Sequence, residues 1–275
     1  MCRWMAYVGT PIFIEDLLFQ TGHSLIDQSL NAQEVNTTTN GDGFGVGWYG
    51  ARPFPGVFKE VNPAWNDPNL RALAQQTKSG LFFAHIRAAT GTPVQRTNSH
   101  PFAYENWLFQ HNGDIPDFWK VQRPLTQRVS DEYYQFIRGS TDSEVMFALA
   151  LTYGLRNDPI GACARMLAVV EEERIKAGIE EPATFTAALS DGSTIWAFRH
   201  SSDRNSKTLY YSRDRDALAT LDDGYDDLPG KPVVIASEPL DDLRDEWVEV
   251  PESSVVIAGG GSCEVVPLPE AEAPA

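Results

Sequence analysis

Cysteine is scarce in this sequence: Cys2, Cys163 and Cys263 are the three in 275 residues. So few, so widely spaced and odd in number, they form neither a disulfide framework nor a CxxC metal site, and a reducing cytoplasm is the compartment they fit. Positive charge is scarce as well. Lys and Arg number 22 against 38 Asp and Glu, for a formal net charge of -16. That balance excludes the clustered cations with which proteins hold nucleic acid. No run of about eighteen apolar residues occurs, and the start MCRWMAYVG has neither a signal-type apolar core nor a cleavage site, so neither a membrane span nor export is expected. Internal repeats are missing. A dinucleotide fingerprint is missing too: in NGDGFGVGWYG (40–50) glycine falls at every second position from 41 to 47, without GxGxxG spacing or a following helix.

What is present describes an ordinary folded protein, 42% hydrophobic and long enough for one large domain or two small ones. WMAYVG (4–9) reads as a short buried strand, and IFIEDLLF with HSLIDQSL as amphipathic helical turns. The alternating glycines predict a strand with one bare face, open to close approach by another backbone. DPNLRALAQQTKSG predicts a helix started by Asp67 and Pro68, with Gly80 beyond its end. LFFAHIRAAT and NWLFQHNG read as strands, and STDSEVMFALALTYGL and DPIGACARMLAVVEEERIKAG as two long helices. From Thr184 strands return: FTAALSDGSTIWAFRH as a hairpin turning at Asp191 and Gly192, then TLYYSR, KPVVIAS, EWVEV and SSVVIAG. The order predicts an α+β fold of two antiparallel sheets stacked face to face and covered by helices. DDGYDDLPG (222–230) is expected as an acidic loop and EVVPLPEAEAPA (264–275) as a frayed tail.

Cys2 has a dull reading, a small residue at the head of a strand. It also has a chemical one. With Met1 removed, its α-amine (reference pKa about 7.7–8.0) stands beside a thiol of about 8.5, so the amine can serve as base for its own nucleophile. Asn112 and Gly113 end an apolar strand and offer a carboxamide and an unobstructed backbone N–H to an oxyanion, or else form a simple Asn-Gly turn. Arg87 lies in an apolar stretch, where a buried guanidinium needs a carboxylate, supplied by a substrate or by an internal Asp or Glu. Asp142 follows Thr141, which with Glu144 has the form of a capping box. It is therefore a first-turn acid, and equally a rigidly held carboxylate able to grip an ammonium group. His85, His100 and His111 have spacings that match no zinc motif.

Taken in order, Cys2, RAAT (87–90), NSHPF (98–102), HNG (111–113), TDSE (141–144) and ASE (236–238) resemble the glutaminase domain of class II glutamine amidotransferases, members of the N-terminal-nucleophile hydrolases. The resemblance implies a four-layer αββα sandwich, with residues 1–262 as a single glutaminase-type domain and 263–275 as an acidic, Pro-rich C-terminal tail. It implies that Cys2 attacks a γ-carboxamide, that Asn112 and Gly113 form the oxyanion hole, that Arg87 binds the glutamyl α-carboxylate and Asp142 its α-ammonium, and that Thr90 and His100 line or brace the site. The implied reaction needs no metal and no other cofactor. Ala88 and Gly91 depart from the aromatic residue and histidine common in the family, which reshapes the pocket. The chain looks like the stand-alone branch of γ-glutamyl hydrolases, acting on glutamine or a γ-glutamyl compound. Two alternatives accompany that reading: an ammonia-donating subunit working with an acceptor or synthase partner, and a non-catalytic γ-glutamyl-binding protein, for which a nucleophile would be superfluous.

Overall fold

The computed structural model describes residues 2–30, 40–89, 91–212, 232–241 and 246–274. Its layering follows from the alternation of side chains along β1 (Arg3–Phe13). Met5 and Tyr7 join a hydrophobic cluster on one face, whereas Trp4 and Ala6 join a different cluster on the other. β1 therefore sits between two cores. The first sheet runs in the order β11 (Trp247–Glu249), β9 (Tyr210–Ser212), β10 (Val233–Ala236), β1, β4 (Lys78–Ile86), β2 (Phe44–Trp48) and β3 (Gly56–Glu60). The second runs β13 (Ser262–Pro267), β12 (Ser254–Gly259), β8 (Thr194–Ser201), β7 (Thr184–Ser190), β6 (Trp107–Asp114) and β5 (Phe102–Tyr104). Neighbouring strands are antiparallel throughout.

Helices α1 (Ile14–Leu18), α2 (Leu25–Leu30) and α3 (Pro68–Gln76) close the outer face of the first sheet, where Leu17, Leu25 and Leu70 pack on Met5, Phe44 and Phe82. α4 (Phe118–Gln127), α5 (Asp131–Tyr134), α6 (Asp142–Thr152) and α7 (Pro159–Lys176) close the second. Every residue of α6 from Val145 to Leu151 is buried, as expected of a helix apolar on all sides. The third cluster, with Trp4, Phe83, Leu108, Ala188 and Val256, fills the space between the sheets. These are the layers of an αββα sandwich. No helix among the described residues is long and apolar enough to cross a membrane.

Two expectations differ from the structure. Four helices, not two, separate β6 from β7. In α4 only Val121 and Leu125 are buried, one turn apart, and Pro124 interrupts the pattern by which a helix is read. The segment 264–275, expected as a frayed tail, begins instead within a strand. Gly260 and Gly261, with φ of 58° and 79°, form the tight turn that hairpins favour, and β13 pairs along β12 from Ser262 to Pro267. Beyond it Leu268 packs on the core and Arg128 Nη1 donates to Pro274 O at 2.8 Å. The acidic stretch 222–230 lies outside the described residues.

The glycine alternation does what its period predicted. Phe44 and Val46 face the helices, while Gly45 and Gly47 turn their bare sides to the second sheet. A Cβ on Gly45 would land on the His100 carbonyl, and one on Gly47 would meet Pro101 Cγ at 2.8 Å. Gly45→Ala should therefore destabilise the protein by at least about 2 kcal/mol, because backbone must move to admit one methyl group. Gly50→Ala, with nothing within 4 Å of the added carbon, should cost less than about 0.5 kcal/mol. Urea denaturation of the two variants checks the contrast, and equal midpoints would refute it.

Candidate active site

Cys2 stands just ahead of β1, half-buried, one step beyond the Arg3–Ile86 pair of the β1–β4 ladder. That step sets it opposite Arg87. The thiol sits on the backbone of the next residue: Ala88 N donates to Sγ at 3.4 Å, and Sγ reaches Ala88 O at 3.5 Å. Arg87 is 3% exposed. Its Nη2 donates to Thr92 Oγ1 at 2.6 Å and its Nη1 to the Asp42 carbonyl at 3.4 Å. The fork meets no carboxylate among the described residues, and none of those residues is the internal acid expected as one possible partner. Burial pulls the Arg87 pKa below its ordinary value, while Cys2 and Asp42 nearby pull the other way.

Three hydrogen bonds between the sheets set β6 against this corner. Gln110 Nε2 donates to Met5 O (2.9 Å), His85 Nε2 meets His111 O (3.1 Å), and Trp4 Nε1 donates to Thr186 O (3.2 Å). His85 is the ladder partner of Trp4, and Thr186 that of Asn112. Across the sheets Met5 is thus tied to Gln110, and Trp4 and its ladder partner His85 to Thr186 and His111; Asn112 and Gly113 follow His111 along β6. Those two residues are inside the β6–β7 ladder, opposite Thr186 and Phe185, so the Asn-Gly turn is set aside. Gly113 has to be glycine: a Cβ would overlap Thr184 O and the His111 ring. The Asn112 carboxamide, in a residue 3% exposed, has no hydrogen-bond partner among the described residues.

α6 fixes this part of β6 from both sides. His111 Nδ1 meets Ser143 Oγ at 2.9 Å, and Asp142 Oδ2 accepts from Ile115 N at 2.9 Å. Asn112 and Gly113 lie between those anchors. Asp142 Oδ1 also accepts from Ser143 N (2.7 Å) and Ser143 Oγ (3.1 Å), so this half-buried carboxylate is held rigidly at a helix start, where the dipole favours it. The capping box is only half formed. Thr141 Oγ1 accepts from Glu144 N (3.3 Å), but the Glu144 carboxylate turns to Arg138 N (3.0 Å) and Gly139 N (2.6 Å).

His100 lies behind the cluster, 4% exposed between the sheets, stacked on His85 at 4.2 Å and edge-on to Phe102 at 4.7 Å. Of lining and bracing, those contacts are a brace's. Thr90 lies outside the described residues. Burial pushes the His85 pKa down to about 3, that of His100 well below the ordinary value, and that of His111 down as well, against the pull of Asp142. Burial thus favours the neutral form of all three rings. Among the described residues no group of three or more His, Cys, Asp or Glu side chains could hold a metal ion.

Two groups of residues escape the sequence reading. Asp42, hidden in the glycine alternation, accepts from Ala89 N at 2.8 Å and donates its own N–H to Arg87 O at 3.1 Å, clamping the loop that carries the guanidinium. Arg3 and Glu238 form a buried ion pair beside Cys2. A polar residue inside a glycine stripe, and the SE of the ASE motif, were the available signals.

A family model described as glutamine amidotransferases class-II matches residues 19–274. The chain belongs to that family. A "Probable glutamine amidotransferase" of Saccharomyces cerevisiae is 35% identical over 290 residues, covering 93% of this chain and 81% of its own. The gamma-glutamyl-hercynylcysteine sulfoxide hydrolase of Mycolicibacterium smegmatis is 27% identical over 272 residues, covering 98% of this chain and all of its own. Among solved structures, a glutamine aminotransferase class-II domain protein from Silicibacter pomeroyi has a TM-score of 0.73 at 35% identity, over 98% of this chain and 100% of that one. The glutamine phosphoribosylpyrophosphate amidotransferase from B. subtilis shares the fold at a TM-score of 0.63 and 14% identity, over 98% of this chain and half of that one. This class II amidotransferase thus shares its αββα layers with both solved structures.

Proposed function

We propose that this class II amidotransferase hydrolyses the γ-glutamyl amide bond of glutamine or of a γ-glutamyl compound through Cys2, releasing glutamate together with ammonia or an amine. The observation that carries the reading is the Arg87 fork, buried beside the Cys2 thiol and meeting no carboxylate among the described residues. A guanidinium taken out of water gains most from a bidentate carboxylate. The α-carboxylate of a glutamyl group supplies one, and Asp142 supplies the opposite charge for its α-ammonium.

In the proposed reaction Met1 has been removed and the Cys2 α-amine takes the thiol proton. Sγ attacks the γ-carbonyl carbon, and the carbonyl oxygen gathers charge against Asn112 and the Gly113 N–H. The C–N bond breaks, the leaving amine takes the proton back, and a γ-glutamyl thioester remains. Water, deprotonated by the same amine, then cleaves the thioester to glutamate and free thiol. The histidines are buried, which lowers the pKa of each, and the base role falls to the amine. Ala88 and Gly91, small where many family members carry an aromatic residue and a histidine, leave room for a leaving group larger than ammonia. The name of the mycobacterial relative is of that kind.

Intact mass before and after exposure to a diazoketone analogue of glutamine tests the reading: loss of Met1 and one adduct on Cys2 are expected, and an unlabelled protein that retains Met1 would refute it. Arg87→Lys should raise KM on the order of 10–100-fold with a smaller change in kcat, because an ammonium cannot form the two-armed pair. An unaltered KM in steady-state kinetics would take Arg87 out of substrate binding.

A further inference from the structure

Of the motifs in this chain, ASE (236–238) contributes no group to the chemistry above, yet it is joined to the first residues of β1 at three successive points. Ala236 is the ladder partner of Met5. Ser237 Oγ accepts from Trp4 N at 3.2 Å, while Ser237 N donates to Trp4 O at 3.0 Å. Glu238 then accepts from Arg3 Nη2, both side chains being buried at 1% and 2% exposure. The other arm of the same guanidinium, Nη1, donates to the carbonyl of Cys2 at 3.1 Å.

Glu238 is itself firmly placed. His23 Nε2 lies 3.4 Å from its second oxygen. His23 N donates to Leu240 O at 2.8 Å, and Gln28 Nε2 donates to both His23 O and Pro239 O. The 238–240 segment is stitched to the turn between α1 and α2.

A buried ion pair is a poor source of stability, because desolvation offsets the attraction of the two charges. It does fix geometry. Once Met1 is gone, residue 2 is tied to the chain by a single peptide bond, and the ladder to β4 begins only at Arg3. Rotation about the Arg3 N–Cα bond would then swing the whole Cys2–Arg3 peptide plane, and with it the Cα that carries the thiol and the amine. The Cys2 carbonyl direction reports that rotation, and Arg3 holds the carbonyl.

We propose that Arg3, oriented by Glu238, is a positioning residue that locks the Cys2 carbonyl and so aims the Cys2 thiol and α-amine at the substrate. The inference rests on the reading of Cys2 as an N-terminal nucleophile. Arg3 touches no substrate, so its loss should lower kcat and spare KM.

The test is Arg3→Lys in the full chain, with kinetics on L-glutamine taken on protein shown by mass to lack Met1. Lysine keeps a charge for Glu238 but offers no second arm. The expected result is a folded protein whose kcat and rate of diazoketone labelling fall on the order of 10–100-fold, with KM within about twofold. Glu238→Gln should move the same quantities in the same direction. Should that variant fail to fold, the lysine variant decides alone. A lysine variant with unchanged kcat and labelling rate, or with its whole loss in KM, overturns the inference. Unsubstituted protein that is neither active nor labelled overturns the nucleophile reading, and this inference with it. Unsubstituted protein that is labelled, beside an undiminished lysine variant, overturns this one alone.

Discussion

Cys2→Ala should reduce hydrolysis of γ-glutamyl substrates by at least about 10⁴-fold and remove the diazoketone adduct, while leaving the fold in place. The size follows from the chemistry. With no sulfur there is no thioester, and what remains is binding and oxyanion stabilisation without a nucleophile. The fold is spared because the thiol's contacts are two long ones to the Ala88 backbone in a half-buried residue. Losing them should cost under about 1 kcal/mol. Cys263→Ala is the matching control, since Cys263 is exposed on the edge strand β13. It should be fully active. Rates of glutamate release, with circular dichroism of all three proteins, decide the matter, and a Cys2→Ala protein of ordinary activity would end the proposed mechanism.

The layers were legible because the sequence states them twice. Short apolar runs such as WMAYVG and FTAALS mark buried strands, and apolar residues at three-to-four spacing mark α6 and α7 as helices. What escaped lacks such a signal. β5 is three residues long, and β3 (GVFKE) is an edge strand with no fully buried position. α4 carries a proline, and β13 follows a glycine run that reads as the end of a strand until both φ angles are known. The site divides along the same line. Cys2, Arg87, Asn112, Gly113 and Asp142, the residues of the proposed site, were legible as candidates because each is a chemically odd residue for its local pattern. Arg3 and Glu238 could not be paired on sequence grounds, as 235 positions separate them and only the β10–β1 ladder brings them together. For His100, expected to line or brace the site, NSHPF says nothing of the His85 ring on which it stacks.

Asn112→Ala should lower kcat on the order of 10²–10³-fold and change KM little, as expected for a donor whose hydrogen bond strengthens only when the oxyanion forms. Structure and function can be separated at this residue for a physical reason. Its backbone is held by the ladder to Thr186 and by α6 through His111 on one side and Ile115 on the other, none of which involves its side chain. The carboxamide itself has no partner among the described residues, so removing it breaks nothing in the free enzyme. Alanine should therefore fold normally, as a melting curve coincident with that of the parent would show. A variant with parental kcat and a raised KM would make Asn112 a ground-state contact and leave the oxyanion to Gly113 alone. A variant that loses kcat only in proportion to lost folded protein would make it structural. The expected combination, an unaltered melt with a collapsed kcat, is one that neither alternative produces.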